Sequence, residues 1–548
     1  MALPRSVQFW LVLLLVCVAF GLRVYRLDSV GLAEDEVHKI LAVESYRHRH
    51  FVVNAEHPML MKLADTGMFI FADWWNERIG PVFNSPRISA EFAVRFPNVV
   101  MGSLTTLVLF LLARTLFGPA VALATAAFWA VGINAITYNR IAKEDTFLVF
   151  FLLLALFLYQ KAKTVEPRDQ RVECRLYGLS GAAFGLALAS KYFPHYVGML
   201  YLLYYFSRGL DRRPHTWRTR TAFFGSLFVF FFLFNPVVFH PATWSYLLNY
   251  VSGKMMSHHG YQVMGHLYRN EALFGGSEGM PFYFYLLYLL VKVPVALIFF
   301  LLFGLVRAYR RHRSDLGHFF LLFMFAAWII PFSAVGAKWL RYTLSLTPWL
   351  YMLAGVGVIW LVELVSGLLG PGRRRLSQFA SVMLFAGCLF SMALACFQSL
   401  PYYSLFVNRI GGGMAKAGSY FPHDEFYDAG VREAVAYVAK SSPDFSAIYS
   451  DADDLIRYYT RRFGRPDLLP ATLCKGDPKA SPTNYILVQD GRRYFENSEL
   501  IDMIEQTYAP EKEVRVDGIP AVRIYRINGV LQVRTSPQKE EDQQKEGE

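Results

Sequence analysis

Two acidic pairs carry the chemistry this chain could do. Asp35 and Glu36 follow the first apolar run, and Glu144 and Asp145 open another one. Cations stand at similar places: Arg95, Arg140, Lys191, Lys338 and Arg341 all fall at the ends of apolar runs. His57, His240, His258, His259 and His266 lie in the polar stretches between runs. Ionisable groups beside a membrane are costly to keep and commonly functional. Carboxylates gathered with cations suit one reaction in particular. A hydroxyl acceptor needs a carboxylate as general base. A phosphate leaving group is already a weak base, so it needs cationic stabilisation rather than a proton donor. Such a site would take a sugar carried on a lipid phosphate. No G-x-x-x-x-G-K-[ST] or G-x-G-x-x-G run is present to cradle a nucleotide.

The elements that must position these residues are set by hydropathy. The 548 residues are 54% hydrophobic and only 18% charged, where soluble domains carry roughly 25% charge. This composition excludes disorder and argues against a soluble enzyme. A bilayer core takes about 20 apolar residues per helix. Apolar runs at 7–25, 93–113, 119–137, 145–160, 176–191, 193–207, 220–240, 282–306, 317–335, 342–366 and 376–398 predict eleven spans. The net charge of +12 divides into +16 over residues 1–400 and −4 over 401–548. A basic excess confined to the hydrophobic part reads as loop charge facing the cytoplasm, not as a nucleic-acid footprint.

Loop charge also sets the orientation. Alternate short loops hold nineteen basic residues, from Arg5 and Arg114 through Lys161, Arg212 and Arg310 to Arg375. The opposite short loops hold five: Arg140, Lys143, Lys191, Lys338 and Arg341. The N-terminus is therefore expected in the cytoplasm of a multi-pass plasma (inner) membrane protein, and both acidic pairs outside it. Residues 1–400 form the membrane domain, with long external loops at 26–92 and 241–281. The stretches 35–50 and 58–77 alternate as amphipathic helices at the membrane surface. A connector at 401–423 leads to an extracytoplasmic α/β domain at 424–533, followed by a polar tail at 534–548. In that domain 428–440 has helical periodicity, "SAIYSDA" (446–452) and "NYILVQD" (484–490) read as buried strands, and 513–527 as a hairpin around Asp517-Gly518. The five cysteines imply neither a disulfide framework nor a zinc site. The spacing of His258, His259 and His266 fits no strong metal pattern, so neither a metal nor any other cofactor is expected.

These residues also carry a resemblance. "EDEVHKI" (34–40) followed by "HPMLMK" (57–62) resembles the protein O-mannosyltransferases, glycosyltransferase family 39. "VRFPNVVMG" (94–102), "NRIAKEDTFLVFF" (139–151), "ASKYFPHYVGML" (189–200) and "KWLRYTLSLTP" (338–348) follow in the order expected of that family and its bacterial relatives. The resemblance covers roughly residues 7–400. It departs from the eukaryotic members in two places. Met59 replaces a proline, and the loop 241–281 is too short for their β-trefoil insertion.

The resemblance implies an α-helical polytopic membrane protein of GT-C type, with about 11 transmembrane helices and the small C-terminal extracytoplasmic α/β domain. Its activity would be inverting transfer of a sugar, mannose first, from a polyprenyl-phosphate donor to a protein, lipid or glycan hydroxyl. Asp35 matches the family's catalytic acid and is the expected base, with Glu36 expected to hold acceptor or sugar hydroxyls. His57, Arg95, Arg140, Asp145, Lys191 and Arg341 are the expected substrate-binding residues. Each has a plainer reading, as a helix-terminal charge favoured by the macrodipole or a cation snorkelling to the interface. One alternative function is transfer of aminoarabinose or another sugar to lipid A or an envelope glycan. The other is transport, which would place ionisable groups near the bilayer midplane in paired halves.

Overall fold

The computed structural model describes residues 4–165, 169–192, 216–251, 258–270, 279–369, 374–473 and 483–528. The predicted span at 193–207, Cys474 and the tail at 534–548 lie outside the described residues, as do several of the loop arginines. The chain divides into two compact units. The first comprises Met1–Val30, His38–His258 and Arg269–Ala417; the second comprises Gly31–Val37, His259–Tyr268 and Gly418–Glu548.

The first unit is helical. It contains α1 (Arg5–Val24), most of α2 (Glu34–Arg47), α3 (Leu60–Trp74), α4 (Ala90–Phe117), α5 (Pro119–Val131), α6 (Ile133–Asn139), α7 (Asp145–Lys163) and α8 (Gln170–Ser190). It continues with α9 (Trp217–Phe234), α10 (Pro241–Val251), α11 (Phe284–Lys292), α12 (Val295–Arg311), α13 (Leu316–Ala334), α14 (Thr347–Leu369) and α15 (Arg374–Gln398). Among the described residues, six helices are long and apolar enough to cross a membrane: α1, α4, α7, α13, α14 and α15. A seventh crossing is possible if α5 and α6 act together, bent by 54° at their junction. The protein is therefore a multi-pass membrane protein.

Among the described residues, two of the predicted spans are each split into two α-helices. The run 119–137 breaks at Gly132, where a side chain would collide with the Tyr351 hydroxyl 2.1 Å from the position of Cβ. The run 282–306 breaks at Pro294, which starts α12 because proline has no N–H to continue α11. The runs 176–191 and 220–240 do form helices, α8 and α9.

Small residues let neighbouring helices approach closely, as is usual in membrane bundles. A Cβ on Gly357 would lie 2.0 Å from the Phe300 carbonyl oxygen, so α12 and α14 meet at backbone distance there. Buried arginines close helix ends. Arg23, at the end of α1, donates to the carbonyls of Trp129 (3.1 Å) and Ala130 (3.3 Å) at the end of α5, and to Asn139 Oδ1 (2.9 Å). These are carbonyls a helix terminus leaves without intrahelical partners.

The second unit is built on a mixed five-stranded sheet. Its strands are β3 (Ala447–Tyr449), β4 (Leu469–Ala471), β5 (Thr483–Gln489), β6 (Lys512–Val516) and β7 (Ile519–Asn528). They follow the hairpin strands β1 (His258–Val263) and β2 (His266–Asn270). The spatial order is β4-β3-β5-β7-β6, with β3 parallel to both neighbours and β7 antiparallel to β5 and β6. All seven residues of β5 are buried, as its unbroken apolar run requires of a central strand. Asp517 and Gly518 both have positive φ, 52° and 78°, the conformation a two-residue hairpin turn demands. Ile486, Val488, Ile501, Ile504 and Tyr525 form the core of this unit. Its helices are α16 (Pro422–Phe426), α17 (Val431–Ser441), α18 (Asp453–Arg462) and α19 (Ser498–Thr507). The β1–β2 hairpin joins it through Met264 N–H to the Tyr420 carbonyl (3.0 Å) and the Tyr261 hydroxyl to Asp424 Oδ2.

Candidate functional site

In the first unit the ionisable residues gather at the N-terminus of α7. The helix opens with Asp145, immediately after Glu144, where the positive end of the macrodipole favours carboxylates. Each carboxylate meets a lysine. Lys39, from α2, forms an ion pair with Glu144, and both side chains are almost fully buried. Lys39 also donates to Asn54 Oδ1 at 2.6 Å. Lys191 donates to Asp145 Oδ1 at 2.7 Å.

Around Glu144, His57 brings Nδ1 to 3.8 Å from the carboxylate, a distance too long for a hydrogen bond. Burial and the nearby Lys39, Lys143 and Lys62 push the His57 imidazole well below its ordinary pKa, against the opposing pull of Glu144. It is therefore neutral at neutral pH. Burial opposes the charge of Glu144, yet the Lys39 and Lys143 ammoniums beside it hold its carboxyl well below the usual range. Lys62 donates to the carbonyls of Asn54 and His57. Burial, then repulsion from Lys39, pushes its ammonium down to about 7. Asn235 ties the segment carrying His57 to α8's end, accepting from Met59 N–H at 3.1 Å and donating to the Tyr192 hydroxyl at 3.0 Å.

Around Asp145, two cations share one ring. The Lys191 ammonium lies 4.7 Å from the centre of Tyr342, and the Arg341 guanidinium lies 5.7 Å from the same ring and 4.6 Å from Trp339. Aromatic faces hold cations in place. Asp145, Lys191 and Arg341 are thus brought together from sequence positions far apart.

Three further expected site residues also hold backbone groups. Arg140, expected to hold phosphate, donates to the carbonyls of Arg23 (2.7 Å), Tyr25 (2.7 Å) and Arg26 (3.1 Å), closing the C-terminus of α1. Arg95, expected to pair with Glu36 or bind phosphate, donates to the carbonyls of Leu27 (3.0 Å) and Val30 (2.8 Å). Glu36, expected to hold substrate hydroxyls, is fully buried and accepts from the Ala33 N–H at 3.0 Å. That contact is the reciprocal half of a capping box at the start of α2.

Asp35 belongs to the second unit. The Tyr427 hydroxyl donates to Asp35 Oδ2 at 3.2 Å. The same turn is fixed at both flanks. Leu32 N–H donates to the Tyr459 hydroxyl at 2.7 Å, and Glu34 N–H donates to Asp428 Oδ2 at 3.0 Å. Arg492 grips Asp428 through Nε (2.7 Å) and Nη2 (2.8 Å), reaches Glu34 Oε2 at 2.9 Å, and donates to the Asp451 carbonyl at 2.6 Å. Burial opposes the charge of Asp428, yet Arg492 holds its carboxyl below the ordinary range. Tyr427 and Asp428 are both in the left-handed region, with φ of 46° and 61°. Such backbone costs of order 1–3 kcal/mol per residue and clusters at functional sites.

Reading residue by residue missed Lys39, Asn54, Tyr427, Asp428 and Arg492. Lys39 had a signal, standing one helical turn after Asp35 on an acidic helix. The others are ordinary surface residues until the fold assembles them. Cys17, Cys174, Cys388 and Cys396 are free thiols.

Comparison with known proteins follows this geometry. Residues 85–240 match the family described as dolichyl-phosphate-mannose-protein mannosyltransferase. A search of curated proteins finds no match. Among solved structures, the chain is similar to ArnT from Cupriavidus metallidurans bound to undecaprenyl phosphate. The TM-score is 0.50 at 14% identity, covering 94% of this chain and 97% of that one. It is also similar to the Archaeoglobus fulgidus oligosaccharyltransferase tethered with an acceptor peptide containing the NVT sequon. There the TM-score is 0.52 at 11% identity, covering 95% of this chain and 74% of that one. The oligosaccharyltransferase AglB of the same organism, in complex with an inhibitory peptide and a dolichol-phosphate, gives a TM-score of 0.50 at 10% identity over 97% of this chain and 75% of that one. These likenesses show a shared fold, and the family match spans residues 85–240 of this chain.

Proposed function

We propose, from the family match at 85–240 and the fold shared with membrane glycosyltransferases, that this protein is a GT-C enzyme that transfers a sugar from a polyprenyl-phosphate donor to a hydroxyl acceptor with inversion at the anomeric carbon. One observation carries the reading: the Lys191 ammonium, bound to Asp145 at 2.7 Å, lies 4.7 Å from the centre of the Tyr342 ring, and the Arg341 guanidinium lies 5.7 Å from the same centre. A doubly anionic lipid phosphate leaving the sugar is stabilised by two fixed cations, and preorganised charge of this kind is commonly the largest catalytic contribution. In this reading Asp35 takes the proton of the acceptor hydroxyl as its oxygen attacks the anomeric carbon. The bond between sugar and phosphate breaks, and the electron pair leaves with the lipid phosphate. Asp145 positions the Lys191 ammonium and limits its net charge. His57, neutral, is available to hydrogen-bond a sugar hydroxyl. Glu36, Arg95 and Arg140 also hold the local backbone in place. No metal or cofactor is needed for these steps.

Mannose is the first candidate sugar, from the description of the family matched at 85–240. The acceptor lies outside the cytoplasm, on the side that the sparse-charge loops face. A second reading rests on the length match to ArnT, which covers nearly all of both chains. In it the acceptor is lipid A or an envelope glycan and the sugar aminoarabinose. The test is transfer of label from radiolabelled polyprenyl-phosphate-mannose by the full-length protein in lipid, with EDTA present. A parallel panel carries other polyprenyl-phosphate sugars. Label in the protein fraction supports the first reading, and label in lipid extracts from another donor supports the second. No transfer from any lipid-phosphate donor contradicts both.

A further inference from the structure

We infer that the C-terminal α/β domain is part of the catalytic apparatus, with Tyr427 as a positioning residue for Asp35 and the Arg492–Asp428 pair as the clamp that fixes Asp35's turn. The proposal rests on the reading of Asp35 as the base. A base works only when its carboxylate is held within reach and at the right angle to the proton it takes, so an element that fixes that carboxylate acts on rate.

Three features support it. Three of the contacts converge on the acidic turn. Leu32 N–H, Glu34 N–H and the Asp35 carboxylate each meet a different side chain of the domain, from Tyr459, Asp428 and Tyr427. The contacts are also stiff. Asp428 accepts two bonds from Arg492 and a third from Glu34 N–H, and bidentate guanidinium–carboxylate geometry fixes both partners. Arg492 is itself anchored to the Asp451 carbonyl, while Asn497 donates to Asp451 Oδ2 at 2.6 Å. Finally, the backbone is bent to present these groups. Consecutive left-handed residues, Tyr427 and Asp428, send neighbouring side chains to the same turn. Gly31 gives the turn room, since a Cβ there would stand 2.8 Å from Arg432 Cβ.

The test uses the full-length protein in lipid nanodiscs, with two readouts. In steady-state transfer from polyprenyl-phosphate-mannose, Tyr427→Phe is expected to lower kcat about 10- to 100-fold, as for loss of a hydrogen bond to a charged group. KM should stay within about twofold. Adding Tyr427→Phe to Asp35→Asn should cause no further loss, because the hydroxyl acts through that carboxylate. In hydrogen exchange, Arg492→Gln and Tyr427→Phe should each speed exchange of the 31–37 segment by about tenfold, while β5 and β7 stay protected. A Tyr427→Phe enzyme with wild-type kcat, or unchanged exchange of 31–37 in Arg492→Gln, overturns the proposal. Asp35→Asn at the wild-type rate would instead sink the base reading, and the exchange result would still decide whether the domain holds the turn. Should this donor give no transfer with wild type, the exchange readout alone decides.

Discussion

The two acidic pairs of this protein are treated differently by the fold. Glu144 and Asp145 each meet a buried or half-buried lysine, Lys39 and Lys191. Their charge is balanced where they sit. Asp35 takes a hydrogen bond from a tyrosine hydroxyl, and Glu36 takes one from a backbone N–H. The first arrangement fixes cations; the second fixes a carboxylate. The difference teaches that an acidic pair in the sequence does not announce its role. A carboxylate bound to a lysine is a poor base, because the cation competes for the electrons that would accept a proton. In the proposed reading Asp35 is the base and Asp145 supports the lysine.

The contrast can be broken or sharpened by substitution. The largest stability effect is expected at the ion pair. Glu144→Gln leaves Lys39 charged and buried without its partner, and such a change costs about 3–5 kcal/mol. Thermal unfolding in lipid should show the loss, and a wild-type melting profile would mean that the pair is not buried as described. Next is the helix contact away from either pair. Gly357→Ala should destabilise by about 1–3 kcal/mol through overpacking, with transfer unaffected at temperatures where the protein stays folded. A third prediction concerns pH. The Asp428 carboxyl is held below its ordinary value of 3.8. Its contribution to stability is therefore full above about pH 4 and is lost as pH falls through the folded-state value. Acid unfolding followed by near-ultraviolet circular dichroism should reveal this, and Asp428→Asn should flatten the acid limb while lowering stability at neutral pH. The smallest effect is expected at His57. His57→Gln should change kcat/KM by no more than about tenfold, with unchanged melting temperature.

Much of the fold was legible in the sequence because it follows from periodicity. The long apolar helices, the amphipathic helices α2 and α3, the buried strand β5 and the hairpin at Asp517-Gly518 all lie where hydropathy and turn residues put them. The breaks at Gly132 and Pro294 were less visible, since the first depends on the approach of Tyr351 from more than 200 residues away. In the candidate site, spacing placed Asp145, Lys191 and Arg341 at span ends but could not bring them around Tyr342. It read Arg95 and Arg140 as ligands for phosphate because both are cations at span ends. Both also bind helix and turn carbonyls, and which carbonyls lie exposed is decided only by tertiary packing. Tyr427 and Arg492 carry no motif. They matter because the chain returns nearly 400 residues later to the turn that holds Asp35.

The most direct test of the whole account is the rate of sugar transfer by Asp35→Asn against wild type, measured in single turnover with the donor that wild type uses. Asparagine keeps the shape of the side chain and removes its ability to accept a proton. The account predicts a loss of about 100- to 10,000-fold, with the folded state intact by melting temperature. Transfer at the wild-type rate by a folded Asp35→Asn protein would contradict it.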